Sequence, residues 1–86
     1  TPNDYAGYDK LSYLYYLHKQ YAQAIEVNRQ ALQKMPDNYI PYGNIGHTYK
    51  AMNQKDSALH YYQRALRLNP NDKNIAASLQ QLSALP

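Results

Sequence analysis

Serine and histidine side chains are the groups in this sequence that could do chemistry, and the placement of the serines argues against catalysis. Nucleophilic catalysis needs a serine beside a base and an orienting acid, commonly on a G-x-S-x-G turn. None of the serines lies in such a motif, and they occupy predicted helical or capping positions: Ser12, Ser57, Ser78 and Ser83. We therefore predict that this segment is not an enzyme.

The histidines are not spaced as metal ligands either. No two of His18, His47 and His60 are separated by three or four residues, the spacing that places two imidazoles on one face of a helix. The chain has no cysteine, which excludes disulfides and thiolate metal sites. The sequence thus predicts no metal and no cofactor, with solvated or packing roles for the three histidines.

The charge and hydropathy of the chain argue against two classes of partner, nucleic acid and the membrane interior. The formal net charge is +3, and nine Lys and Arg residues are scattered singly, without the basic stripe that phosphate recognition needs. No apolar run approaches the roughly 20 residues that span a bilayer, and no leader precedes Tyr5. We expect a soluble segment that does not bind nucleic acid and does not insert into a membrane. Its compartment stays open, either cytoplasmic or, within an exported parent, periplasmic.

The elements that carry these residues repeat at an offset of 34 residues. The offset aligns eight pairs of identical residues: Pro2/Pro36, Tyr5/Tyr39, Tyr8/Tyr42, Tyr15/Tyr49, Gln20/Gln54, Ala24/Ala58, Ala31/Ala65 and Leu32/Leu66. The same offset takes Pro36 to Pro70, and an Asn/Asp pair follows each of these three repeat prolines, at positions 3–4, 37–38 and 71–72. Proline ends one helix and an Asn or Asp side chain caps the next, so these triplets mark helix boundaries.

Between the boundaries, the apolar spacing is helical. Tyr42, Ile45 and Tyr49 fall at i, i+3 and i+7, and the first unit has the same pattern. The connections at 18–20 and 53–55 are short and polar, which makes paired helices antiparallel neighbours. We predict helix pairs over about 5–38 and 39–72, in which small residues such as Gly46 and its equivalent Ser12 let the facing helix approach.

A shorter amphipathic segment follows, over about 72–85. Ile75, Leu79 and Leu82 lie at i, i+4 and i+7 with polar residues on the other faces, as expected for a helix that closes a repeat array. The start at Thr1 and the stop at Pro86 predict that the chain is part of a longer protein.

These residues resemble the tetratricopeptide repeat. The second unit matches every signature position: Tyr42, Ile45, Gly46, Tyr49, Ala58, Tyr62, Ala65 and Pro70. The first unit matches except at Asn28, where the family has an aromatic residue; we expect Asn28 to weaken its helix or to point toward a missing element. The resemblance implies an all-α solenoid of two antiparallel helix pairs plus a closing helix, arranged as a right-handed superhelical array in one domain over 1–86.

The family's concave face is lined by the first helix of each pair, and the resemblance transfers that role to particular residues here. The predicted partner-binding residues are Lys10, Tyr13, Tyr16, Asn44, His47, Lys50 and Gln81. Gly43 falls on the same face. One branch of the family clamps the C-terminal carboxylate of chaperones, but only Asn44 matches that clamp here, and Asp9 would repel a carboxylate. We therefore predict that chaperone tails are not the partner.

Two functions from different classes are compatible with the sequence. The first is a scaffold or interaction module that holds a peptide or protein partner in its concave groove. The alternative is a C-terminal structural appendage of a larger bacterial enzyme, such as a serine hydrolase. Self-association through an exposed N-terminal face containing Tyr5, Tyr8 and Leu14 is a further expectation.

Overall fold

Five α-helices joined by short turns make up the chain in the computed structural model, which describes residues 5–85. The helices are α1 (Tyr5–Leu17), α2 (Tyr21–Lys34), α3 (Tyr39–Ala51), α4 (Lys55–Leu68) and α5 (Lys73–Ser83). No β-strand occurs among these residues. The predicted all-α repeat array, with two helix pairs and a closing helix, is confirmed.

Two of the predicted Asn/Asp caps begin helices as expected. The Asn38 side chain accepts a hydrogen bond from the Ile40 backbone amide at 3.0 Å. Asp72 accepts from the amides of Asn74 and Ile75, each at 3.0 Å. These bonds satisfy amides of the first helical turn that have no partner within the helix. The third pair, at 3–4, lies outside the described residues.

The turn between the two helices of each pair does not use an Asn/Asp cap. It is formed by a left-handed backbone residue, in the same way in both repeats. Lys19 and Asn53, 34 positions apart, have φ values of 60° and 61°, in the left-handed region. The next amide in each turn, that of Gln20 or Gln54, then bonds back to a carbonyl of the preceding helix at 2.8 Å and 2.9 Å. The second turn spans 52–54 rather than the predicted 53–55, because Lys55 already begins α4.

The helices stack in chain order, so that each packs mainly against its sequence neighbours. The resulting body measures 41 × 28 × 17 Å. A hydrophobic cluster lies between α3, α4 and α5, where Tyr62 is fully buried. A Cβ added to Gly46 would lie 2.7 Å from a ring carbon of Tyr62, so the predicted close approach at Gly46 is confirmed.

Asn28 occupies the equivalent interior place in the first helix pair, and the expectation that it points toward a missing element was wrong. Its side chain is 0% exposed and does not point toward a missing element. The amide nitrogen donates to the Ser12 hydroxyl at 2.6 Å and to the Ala24 carbonyl at 3.0 Å. The amide oxygen accepts from the Tyr5 hydroxyl. Each polar atom of Asn28 is therefore satisfied inside its own repeat.

The N-terminal face differs from the surface expected for self-association. Tyr5 is buried, at 8% exposure, so it cannot contribute to an exposed patch. Its ring stacks on Tyr8, which is half-buried, while Leu14 is 46% exposed. Within residues 5–85, no helix combines the length and apolar character needed to cross a membrane.

Candidate functional site: a groove between the first helices of the two repeats

A groove of about 380 Å³ lies between α1 and α3. Its walls come from both helices: Asp9, Ser12, Tyr13, Tyr16, Asn44, His47, Thr48, Lys50 and Ala51. These positions recur every three or four residues, so each helix presents one face to the groove.

Five of the seven predicted binding residues are brought together here, and two are not. Tyr13, Tyr16, Asn44, His47 and Lys50 line the groove. Lys10 is exposed, but it follows Asp9 by one residue and therefore leaves α1 about 100° away from the groove face. Gln81 is exposed on α5, and no residue of α5 lines the groove.

Gly43, the other residue placed on this face by the resemblance, is not available to a ligand. It is buried, and a Cβ added there would lie 2.9 Å from the side chain of Ile75. The closing helix thus packs directly onto α3 at this glycine.

One end of the groove is built from Asp9 and Asn44. The Asn44 side-chain nitrogen donates to the Asp9 carboxylate at 2.9 Å and to the Tyr5 hydroxyl at 2.7 Å. Both hydrogens of that nitrogen are therefore used within the chain. Asn44 and Asp9 can then offer a ligand only acceptor oxygens, together with the negative charge of the carboxylate.

A buried chain of hydrogen bonds fixes Asn44 from below. The Tyr5 hydroxyl accepts from Asn44 and donates to the Asn28 oxygen at 2.5 Å, and Asn28 donates in turn to Ser12. Burial raises the pKa of Tyr5 above its usual range, with Asp9 adding to the rise and the Asn44 bond opposing it. The phenol keeps its proton, and the direction of each bond in the chain is set.

The other end of the groove presents donors. The Tyr62 hydroxyl lies 2.7 Å from Nδ1 of His47, and burial raises the pKa of Tyr62 to about 12. Burial also lowers the pKa of His47, helped by the nearby Lys50 ammonium and opposed by Asp72. The Tyr62 bond occupies Nδ1 of His47, so the imidazole meets a ligand through Nε2, whose role is set by the tautomer. The Lys50 ammonium is the charged donor of this end.

An aromatic wall connects the two ends. The rings of Tyr13 and Tyr16 stack with centroids 6.5 Å apart, and Tyr21 meets Tyr16 edge-on at 5.9 Å. Tyr13 is 58% exposed, so one of its ring faces is open. Such a wall can pack against apolar or aromatic side chains while the hydroxyls stay in water.

Ser12 and Thr48 line the groove but were not identified as site residues from the sequence. Ser12 lies three residues after Asp9 and four before Tyr16, and Thr48 lies four after Asn44, so helical spacing alone could have found them. Both hydroxyls face inward: Ser12 accepts from Asn28, and Thr48 donates to the Asn44 backbone carbonyl at 2.8 Å.

Across residues 5–85, no group of three His, Cys, Asp or Glu residues is arranged to hold a metal ion. The one histidine in the groove is bonded to Tyr62 rather than to a serine. A smaller cavity of about 200 Å³ lies near Arg67 and Leu68, where Arg64 sits 4.7 Å above the Tyr42 ring.

Similarity to known proteins agrees with this architecture. The family described as "Tetratricopeptide repeat" matches residues 39–72, the range that the 34-residue offset assigns to the second unit. The human "Cell division cycle protein 16 homolog" is 37% identical over 54 residues, which are 63% of this chain and 9% of that protein.

Two further relatives carry transferase names. "Protein O-mannosyl-transferase TMTC2" of Mus musculus is 35% identical over 60 residues, 66% of this chain and 7% of that protein. The "UDP-N-acetylglucosamine–peptide N-acetylglucosaminyltransferase" of Giardia intestinalis is 40% identical over 47 residues, 55% of this chain and 3% of that protein. The chain thus spans less than a tenth of these relatives. Residues 39–72 match the tetratricopeptide repeat, and such repeats generally mediate protein–protein interaction.

Proposed function

We propose that this chain is a non-catalytic interaction module that holds an extended segment of a protein partner in the groove between α1 and α3. The observation that carries the proposal is the groove itself, about 380 Å³ with an aromatic wall and a polar group set at each end. Aromatic side chains contribute large contact area in binding sites, and a few fixed polar groups orient the ligand.

Rigidity of the groove supports the same function. Tyr5 and Asp9 hold Asn44, and Tyr62 holds His47, so the polar side chains are positioned before a ligand arrives. Binding then costs less side-chain entropy than it would on a surface of free side chains.

The segment's place in a larger protein is the second candidate. The relatives that support it are those named as transferases, of which this chain matches less than a tenth. In that setting the repeats would present a protein substrate to an active site elsewhere, or stabilise the parent. None of the three relatives described above has a hydrolase name, so the serine hydrolase parent draws no support from them.

Selection of peptides on the purified chain tests the interaction module. A phage-displayed library of random peptides is panned on the wild type, and the affinity of each enriched peptide is then measured. For Tyr16→Ala/Lys50→Ala we expect affinity to fall at least about tenfold, because an aromatic contact and a cation are both lost. Circular dichroism checks that the variant stays folded.

Arg67→Ala/Leu68→Ala is the matched control, since it also removes one cation and one apolar side chain, but from the smaller cavity. Its affinity should equal that of the wild type. Failure to enrich any peptide, or peptides that bind the Tyr16→Ala/Lys50→Ala variant as tightly as the wild type, would contradict the proposal.

A further inference from the structure

The two ends of the groove have opposite hydrogen-bonding character, which restricts the partner's chemistry. Asp9 and Asn44 form an acceptor end, because both hydrogens of the Asn44 amide are already donated to Asp9 and Tyr5. Lys50 makes the other end a donor end, because its ammonium group donates and carries a positive charge. An asparagine on this face could in principle donate to a carboxylate, but here its donors are occupied and a carboxylate stands beside it.

The distance between the two ends of the groove determines how many residues separate the matching groups of a bound peptide. Asn44 and Lys50 are six residues apart on α3, so the ends are separated by about 9 Å along the helix. An extended peptide rises about 3.3 Å per residue, so about three residues span that distance. The side chains between the ends would lie along Tyr13 and Tyr16.

We propose that the groove selects an extended segment with a basic residue at the Asp9–Asn44 end and an acidic residue about three positions away at the Lys50 end. Apolar or aromatic residues lie between the two charges. This inference rests on the proposed function and names the partner's chemistry. Charge complementarity carries it, since an anionic tail would meet the Asp9 carboxylate and a wholly basic segment would meet Lys50.

Hydrogen bonds to Tyr5 and Asp9 hold the Asn44 amide in the orientation that presents its oxygen to a ligand. Rotating the Asn44 amide to present its nitrogen to a ligand would break two bonds and place its oxygen against the Asp9 carboxylate. It would also remove the donor that the buried Tyr5 hydroxyl accepts from. The acceptor character therefore belongs to the repeat's interior as well as to its surface.

Three capped peptides with the cores Lys-Leu-Leu-Glu, Glu-Leu-Leu-Glu and Lys-Leu-Leu-Lys test the motif. Dissociation constants come from NMR titration of the full 86-residue chain, with the Asn44 side-chain amide and the Lys50 backbone amide as reporters. We expect Lys-Leu-Leu-Glu to bind tightest, by about fivefold over each of the others, as one exposed charge pair contributes.

Variants of Asp9 sharpen the test. Asp9→Asn keeps an oxygen for the Asn44 bond but removes the charge, and it should erase the advantage of Lys-Leu-Leu-Glu over Glu-Leu-Leu-Glu. Asp9→Lys should make Glu-Leu-Leu-Glu the tightest of the three. Asp37→Asn removes the same charge from the turn between α2 and α3, outside the groove, and should leave the ranking unchanged.

Equal affinities for the three peptides, or tightest binding of Glu-Leu-Leu-Glu by the wild type, would overturn the motif and leave the interaction module standing. Binding of none of them would also overturn the motif, while the library selection decides the proposed function separately.

Discussion

The two repeats have matching helices and turns but different interiors. In the second repeat, the fully buried ring of Tyr62 packs against Gly46. In the first, the same two places hold Asn28 and Ser12, which hydrogen-bond to each other at 2.6 Å. A large ring against no side chain and a small amide against a hydroxyl both close the gap between the helices. The comparison teaches that the pair of positions, rather than either residue alone, specifies the packing.

The two repeats also differ in how much of the equivalent face of α1 and α3 is covered by a neighbouring helix. Ile45 and Thr48 of α3 pack inward and are 0% and 2% exposed, whereas their equivalents Leu11 and Leu14 are 45% and 46% exposed. In α3 this face meets α2, but no helix among residues 5–85 covers it in α1. Equivalent helix faces are thus buried in one repeat and exposed in the other.

Placing the first repeat's residue in the second should have the largest effect. Tyr62→Asn removes a buried ring and leaves an amide opposite Gly46, which has no hydroxyl to bond it. We expect a loss of about 3–5 kcal/mol in the free energy of unfolding, measured by urea denaturation. Tyr62→Phe keeps the ring and loses the bonds of the hydroxyl to His47 and Ser78, so it should cost about 1–2 kcal/mol. Equal losses in the two variants would contradict the packing account.

The exposed and buried faces can be compared with one matched pair of substitutions. Ile45→Ala should lower the free energy of unfolding by about 2–5 kcal/mol because it empties a closed site. Leu11→Ala should change it by less than about 1 kcal/mol, since nearly half of the leucine is already exposed to water. Urea denaturation of both variants measures the difference, and a large loss from Leu11→Ala would show that the face is covered.

Converting the first repeat's interior toward the second tests whether the paired positions act together. Asn28→Tyr alone should overpack against Ser12 and cost about 1–3 kcal/mol. Adding Ser12→Gly should recover part of that loss, although glycine in a helix itself costs about 1 kcal/mol. A double-mutant cycle should therefore give a coupling energy of about 0.5–3 kcal/mol. Additive effects would indicate that the two positions are independent.

His47 should make stability depend on pH in the second repeat. Its pKa is lowered in the folded state by burial and by Lys50, with Asp72 opposing, so folding favours the neutral imidazole. This contribution is complete above the unfolded histidine pKa of about 6.5 and is lost as pH falls through it toward the folded pKa. The urea concentration at the unfolding midpoint should decrease as the pH is lowered from 7.5 to 5.5. His47→Gln should make this decrease smaller. His60→Gln, at an exposed position, should retain it.

The smallest effect is expected at the repeated turn. Lys19 adopts φ 60°, where glycine has no steric cost and asparagine is tolerated better than lysine. Lys19→Gly relieves about 1–2 kcal/mol of left-handed strain but costs about 0.5–1 kcal/mol in chain entropy, so it should raise the free energy of unfolding by about 0.5–1 kcal/mol, and Asn53→Gly by less. Thermal melting of the two variants measures this, and a lower melting temperature for Lys19→Gly would contradict the backbone argument.

The fold could be predicted from the sequence because the apolar periodicity and the helix-boundary signals depend only on residues close together in the chain. The proline and Asn/Asp triplets mark where helices begin, as Asn38 and Asp72 demonstrate. The interior of the first repeat was not predictable in this way, because the bonds of Asn28 join residues 4, 16 and 23 positions away. A polar residue at an aromatic position therefore looked like a defect when read alone.

The groove was predictable in outline from the family resemblance, which placed seven residues on the concave face. Five of them line the groove between α1 and α3. Gln81 was placed there too but lies away from the groove, because the closing helix packs over Gly43. The acceptor character of Asn44 depends on Tyr5, 39 residues away, and no local pattern carries it.

The most direct test of the account is a map of where a partner segment binds. A peptide selected on the chain is titrated into isotope-labelled protein, and amide chemical shifts are followed along all five helices. The account predicts shifts concentrated on α1 and α3, at Tyr13, Tyr16, His47 and Lys50, with α2 and α4 little changed. Shifts concentrated on α2 and α4 would contradict it and move the binding surface to the opposite helices of the pairs.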